Sequence, residues 1–467
     1  MKNFTLLAIN WGNAGMQAFY LILSLSILVI LHEFGHYITA KWFKCRVEKF
    51  YLFFNPWFSL VKKKVGETEY GIGWLPLGGY VKIAGMIDES MDKEAMKLPP
   101  QPYEFRSKPA WQRLIIMLGG IIVNVLLAFI IYAMVLFVWG EKKIVNTSVK
   151  SGIWCTDSSI TKLGLQNGDK IISVNGQQVQ YFDDLAKTLL FNGGKSIVVN
   201  RNGKDTSINV PVDLAGQLSE NRKASRSTTL IMPRVPVIMG EFDKGDTSGA
   251  VKAGLVQGDR IIKADSTQID YVDQLGAYLA NKTNQHVSLT VMRRGEVMTF
   301  NNVAINSDGK AGIPPLTLEQ YDSLGVYKLD VKKYSFFESF PAGVKLTFTK
   351  LGDYVDQFKL IFHPETGAYK GLGGFKAIGS AFPTSWGDWE SFWSITAFLS
   401  IVLAFMNLLP IPALDGGHVL FTLIEMITKR KPSDKFLEYA QVVGMVLLLG
   451  LMLYANGNDW FGWGKGR

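Results

Sequence analysis

Residues 32–36 read His-Glu-Phe-Gly-His, an H-E-x-x-H pattern set in the apolar stretch ILVILHEFGHYITAKWF. On a helix, residues four apart share a face, so His32 and His36 can present two imidazoles to one metal ion. Glu33 lies beside that face, where its carboxylate can take the proton of a water attacking a peptide carbonyl. It is also the first acidic residue of the chain. Ionisable groups at membrane depth are costly and mark functional sites. The bland alternative is a pair of core histidines bonded to carbonyls. It would have to explain three polar groups on one apolar helix.

A tetrahedral catalytic zinc takes three protein ligands and keeps one position open. The third ligand is expected at Asp415, within FMNLLPIPALDGGHVLF. Pro410 and Pro412 cannot continue a helix. Broken backbone at membrane depth is tolerated where it is buried or lines a wet cavity. Asn407 precedes the break and is a candidate for holding substrate backbone, with helix C-capping as the alternative. For Asp415 the alternative is an N-cap on the next helix. His418 reads as a turn residue rather than a fourth ligand, and His286 and His363 as unrelated to the metal.

Four apolar segments are long enough to carry these groups through a membrane, at about 17–40, 114–139, 391–414 and 439–454. Basic residues crowd the segment after the first (Lys41, Lys44, Arg46, Lys49, Lys62, Lys63 and Lys64) and the turn before the last (Lys429, Arg430, Lys431 and Lys435). By the positive-inside rule both are cytoplasmic, which puts both termini and the long central segment outside. The first and third spans then run in the same direction, and His32, His36 and Asp415 fall on the same side. The net charge of +9 therefore reflects topology, not nucleic acid. Two cysteines, Cys45 and Cys155, exclude a disulfide scaffold.

The central segment contains a repeat. Residues 163–176 read LGLQNGDKIISVNG and 253–266 read AGLVQGDRIIKADS. Gly164/Gly254, Asp169/Asp259, Tyr181/Tyr271 and Leu185/Leu275 are all 90 positions apart. Each copy shows a turn, an apolar strand, a second turn and a helix opening near Asp183 or Asp273. This resembles the PDZ domains of bacterial membrane and periplasmic proteases, which add a peptide as an extra strand beside a helix. The alternative is that the copies fill space or screen bulky substrates. Residues 341–362 form an amphipathic pattern, suited either to a membrane surface or to packing on the second copy.

Together, the H-E-x-x-H of the first span, the N-x-x-P-x-P-x-L-D-G of Asn407 to Gly416 and the PDZ-like pair between them resemble the site-2 protease family. These are M50-type intramembrane zinc metalloproteases, and the resemblance is to the members that carry tandem PDZ domains. It implies one Zn2+ held by His32, His36 and Asp415, with Glu33 as catalytic base. It implies single-span membrane substrates, namely anti-sigma factors after a first cut and remnant signal peptides. A bacterial inner-membrane location follows from the same resemblance, with the lipid bilayer as partner. Residues 66–85 resemble the family's membrane-associated β-hairpin, with Gly78 and Gly79 as substrate-binding candidates alongside Asn407, Pro410 and Pro412. Residues 119–124, GGIIVN, correspond to a G-P-x-x-N pattern, with Ile121 in the proline's place and Asn124 retained.

The expected architecture is an α-helical polytopic membrane protein with four transmembrane helices, a β-hairpin and two extracytoplasmic α+β PDZ domains. The expected divisions are 1–140, 141–230, 231–320, 321–390 and 391–467. Two rival readings are a metal-binding scaffold and a transporter. Glu33 argues against the first, and the absence of an inverted repeat against the second.

Overall fold

A computed structural model of the chain describes residues 11–86, 99–191, 196–221, 230–242 and 245–463. It opens with helix α1 (Trp11–Trp42), strands β1 (Val47–Phe54), β2 (Val61–Val65), β3 (Thr68–Ile72) and β4 (Leu75–Ile83), and helix α2 (Ala110–Val138). The central part carries β5 (Lys170–Val174), β6 (Gln177–Gln178), α3 (Leu185–Phe191), β7 (Ser196–Arg201) and β8 (Lys204–Asn209). It continues with β9 (Arg260–Ala264), β10 (Thr267–Gln268), α4 (Val272–Ala280), β11 (His286–Arg293) and β12 (Glu296–Ala304). Helices α5 (Phe336–Ile361), α6 (Trp389–Leu408), α7 (Asp415–Thr428) and α8 (Asp434–Phe461) complete it. The chain falls into two compact units. One comprises 1–140, 333–359 and 372–467, the other 141–332 and 360–371.

Among the described residues of the first unit, four helices are long and apolar enough to cross a membrane: Gly12–Trp42, Ala110–Val138, Trp389–Leu408 and Lys435–Phe461. The expected third span ran to residue 414. Its helix stops at Leu408, because the prolines end the backbone ladder before that point. The fourth is longer than expected at both ends.

Small and hydroxylated residues seat these helices against one another, as interhelical packing in lipid favours. A Cβ on Gly35 of α1 would lie 2.3 Å from the Gly119 carbonyl of α2, and one on Gly119 would lie 2.5 Å from the Gly35 carbonyl. Thr396 of α6 donates to Ser24 of α1 at 3.0 Å, and Ser400 donates to the Asn124 carbonyl of α2 at 2.8 Å. Helix α5 also packs on α2, where Gly343 faces the backbone of Phe129 and Ala133. Phe336, Phe337, Phe340 and Phe348 of α5 remain exposed.

The segment after α1 forms a four-stranded sheet of order β2-β3-β1-β4, rather than a lone hairpin. β1 pairs parallel with β3 and antiparallel with β4, so β4 is an edge strand. Gly79 brings that edge close to α1. A Cβ there would sit 2.9 Å from the Val29 side chain and 2.7 Å from the Tyr51 carbonyl.

In the second unit, the repeat is two sheets of identical connectivity, β8-β7-β5-β6 and β12-β11-β9-β10. Their cores use equivalent positions: Ile171 and Ile261, Val174 and Ala264, Leu185 and Leu275, Leu189 and Leu279. The G-L-x-x-G-D turn has a structural reason. Gly164 and Gly254 take φ of 105° and 87°, which favours glycine. Asp169 and Asp259 are buried, and each accepts a main-chain N–H of its own turn, from Gln166 and Val256. Each also accepts two hydrogen bonds from an arginine, Arg201 or Arg293, whose guanidinium also donates to the first glycine's carbonyl. The helix-opening aspartates differ between copies. Asp183 accepts the Ile144 N–H at 3.0 Å. Asp273 accepts from Asn167 of the first copy and from Arg234 of the connecting segment, all at 3.0 Å at closest approach.

Candidate metal centre and its cavity

His32 and His36 stand one turn apart on α1, both buried, with their Nε2 atoms 3.2 Å from each other. Asp415 opens α7 about 380 positions later, and its Oδ2 lies 3.2 Å from both Nε2 atoms. The chain brings Asp415 there by a tight reversal over 409–414, in which Ala413 takes φ of 87°. The two glycines that follow are steric necessities. A Cβ on Gly416 would lie 2.2 Å from the Leu409 carbonyl, and one on Gly417 would lie 2.6 Å from the Ile411 carbonyl. The first turn of α7 presents unpaired N–H dipoles, a setting that favours a carboxylate.

These three residues are the metal-competent cluster found among the described residues. An ion roughly 2.0–2.1 Å from each of three tetrahedral ligands holds them about 3.3 Å apart, close to the separations seen. The proton arrangement points the same way. His36 donates from Nδ1 to the Ile116 carbonyl at 2.9 Å, which leaves a lone pair on Nε2. Asp415 Oδ2 is buried and receives no hydrogen bond of good geometry. Electron pairs therefore converge on one point and need a cation there. The residues fit a zinc ion.

Asn124 of α2 sits behind His32, its side-chain amide 3.0 Å from Nδ1, while Asn124 Oδ1 is buried without a partner. Nitrogen and oxygen of an amide are interchangeable by a 180° turn. The turned amide accepts His32 Nδ1–H and leaves the His32 Nε2 lone pair facing Asp415, as outer partners of metal ligands do. Gly120, four residues earlier, admits the rings. A Cβ there would lie 2.4 Å from His36 Nε2 and 2.7 Å from His32 Cε1.

The cluster opens into a cavity of about 600 Å³ lined by α1, β4, the reversal before α7, and α8. Glu33 lines it beside the histidines, as does Val81 of β4. Gly79 lines it too, and its Cβ position is 3.7 Å from Glu33 Cγ. Asn407 approaches the metal cluster, with Nδ2 at 3.4 Å from His32 Nε2. Gly78 faces the Phe54 ring, while Pro410 and Pro412 shape the reversal and stand outside the cavity lining. His418 lines the cavity, outside the three-residue cluster. Sequence reasoning assigned no function to Gly120, Gln441 or the Ile116 carbonyl. Asn124, a polar residue inside an apolar span, was the available signal for the buried contact behind His32.

Comparison with known proteins agrees with this chemistry. The family model for peptidase family M50 matches residues 20–451. The chain is 30% identical over 459 residues to the protease RseP of Yersinia pestis, covering 94% of this chain and 97% of that protein. It is 28% identical over 461 residues to the regulator of sigma-E protease RseP of Escherichia coli K12, with the same coverages. A Treponema pallidum protein whose name designates a zinc metalloprotease is 26% identical over 461 residues, again covering 94% and 97%. The chain belongs to peptidase family M50 and is a membrane zinc metalloprotease.

Proposed function

We propose that this chain cleaves peptide bonds within or near the membrane-spanning segments of single-span proteins, with His32, His36 and Asp415 holding zinc and Glu33 as the base. The observation that carries this reading is the convergence of the three ligand atoms at 3.2 Å beside a carboxylate that lines the same cavity. Zinc supplies Lewis acidity, which polarises the scissile carbonyl and lowers the pKa of water. Glu33 takes the proton of the attacking water and passes it to the departing amine. Asn124 and the Ile116 carbonyl fix the imidazole planes.

A transmembrane helix hides its peptide bonds and must unwind to be cut. Its freed N–H and C=O groups then need partners, because the bilayer offers none. β4 supplies an edge for this. β4 is hydrogen-bonded to β1 on one side only, which leaves the other side of its main chain facing away from the sheet. Substrate adds there as a further strand, with Gly78 and Gly79 presenting little side chain. Asn407 holds backbone near the ligands, and Pro410 and Pro412 keep the reversal open.

The two repeat copies act as extracytoplasmic PDZ domains, a reading supported by their shared connectivity and the charge asymmetry of the loops. They screen substrate ectodomains or bind newly exposed ends. The family resemblance, with one relative named as a regulator of sigma-E protease, favours anti-sigma factors after a first cut as substrates, and remnant signal peptides as a second class. The domain divisions follow, with the PDZ copies at 141–230 and 231–320 and the catalytic parts at 1–140 and 391–467. The reading also puts both termini outside a bacterial inner membrane.

The test is cleavage of a single-span model substrate in detergent by wild type and Glu33→Gln, with zinc measured in both. Cleavage by wild type alone, with one zinc per chain in each, is expected. Equal cleavage by both, or zinc in neither, would refute the assignment.

A further inference from the structure

Gln441 lies in the second turn of α8, inside an apolar stretch long enough to span a membrane. It is only 6% exposed, and its side chain lines the cavity that also holds His32, Glu33 and Asp415. Among the described residues it makes no hydrogen bond. Other polar residues lining the cavity, on the sheet side, are provided for: Tyr80 donates to Asn55 Oδ1 at 2.9 Å, Asn55 donates to Ser59 at 3.1 Å, and Lys82 pairs with Glu48 at 3.4 Å. Its amide atoms are not among the buried polar atoms that lack a partner, so the amide reaches the open space of the cavity.

The position of Gln441 is fixed. One turn further along α8, Gly444 seats against the reversal that carries Asp415. A Cβ on Gly444 would lie 1.5 Å from the Pro412 carbonyl oxygen, so α8 touches that loop backbone to backbone. The amide thus has a set distance from the metal cluster. A carboxamide offers two donors and two acceptor lone pairs, the complement of a peptide group. An unwound substrate brings unpaired peptide groups into this cavity, and β4 can serve only one of its edges.

We propose that Gln441 is a substrate-binding residue whose side-chain amide hydrogen-bonds a main-chain peptide group of the substrate lying in the cavity. This rests on the proposed cavity cleavage. It adds a second wall to the site, contributed by α8, and assigns that helix a share in holding the extended chain.

The experiment uses the full chain in detergent with the same single-span substrate. Wild type, Glu33→Gln, Gln441→Leu and Gln441→Met are compared for kcat, KM, zinc content and thermal midpoint. Binding of uncut substrate is measured on Glu33→Gln with and without Gln441→Leu. Removing one such hydrogen bond is expected to lower kcat/KM and weaken binding about three- to tenfold. Zinc should stay at one per chain, and the thermal midpoint should hold, because the amide makes no hydrogen bond within the described residues. Unchanged binding and kcat/KM would overturn the proposal. So would a fall in thermal midpoint or zinc content in both Gln441 variants, which would mark Gln441 as a structural group. Failure of the underlying cleavage reading shows separately, as cleavage by Glu33→Gln equal to wild type.

Discussion

Gly120→Ala is the smallest change expected to dismantle the proposed metal centre. The added methyl carbon would lie 2.4 Å from His36 Nε2 and 2.7 Å from His32 Cε1. Ordinary contact begins near 3.4 Å, so the rings or α2 must retreat by about 1 Å. Metal ligands tolerate roughly 0.2 Å. Helix α2 has little room to yield, because Gly35 and Gly119 already meet backbone to backbone one residue away. Zinc affinity should fall by at least the ~10–100-fold typical of losing an outer partner. A shift of about 1 Å costs roughly 100-fold in rate. Zinc per chain is read by mass spectrometry after exposure to a graded chelator, alongside cleavage of a single-span substrate. Gly450→Ala is the matched control, since a Cβ there meets nothing within 4 Å. Overpacking costs about 1–3 kcal/mol, so the thermal midpoint should drop only modestly. If Gly120→Ala keeps its zinc at wild-type chelator concentrations and cleaves within twofold of wild type, the close approach is not what positions the imidazoles.

Asn124→Ala removes the amide behind His32 and should weaken zinc about 10–100-fold without abolishing folding, as measured by competition with a chelator. Asp259→Asn leaves Arg293 without its buried carboxylate. It should destabilise the second unit by roughly 3 kcal/mol, visible as faster proteolysis between residues 245 and 332. Cys155 is buried, and burial, with the Asp169 carboxylate adding to it, pushes its thiol up to about 12. Only the thiolate reacts, so in a Cys45→Ser background maleimide labelling at pH 8 should be slow in the native protein and fast in denaturant.

Much of the candidate site was legible because its residues carry chemistry that an apolar helix otherwise excludes. His32, Glu33, His36 and Asp415 each interrupt a run of apolar residues, and metal-ligand spacing selects the two histidines. The repeat was legible because glycine and aspartate are required at fixed places in its turns. What was not legible depends on proximity between distant segments. Nothing local distinguishes Gly120, which faces two imidazoles, from Gly450, which faces open space. The parallel pairing of β1 with β3 has no sequence signature, so a sheet was expected only as a hairpin. Helix α7 was masked by the turn residues at each end, and the end of α6 by apolar residues that continue past its last turn.

The paired aspartates of the repeat have taken different employment. Asp183 and Asp273 occupy equivalent places, yet one serves its own module while the other fastens its module to the first through Asn167 and Arg234. The residue matching Asn167 in the second copy is Gln257, one methylene longer. The two modules are therefore no longer interchangeable parts. Exchanging their order would leave a carboxylate with no clasp to close and a clasp with no carboxylate to grip. Of two like shapes, one side chain makes a left and a right half.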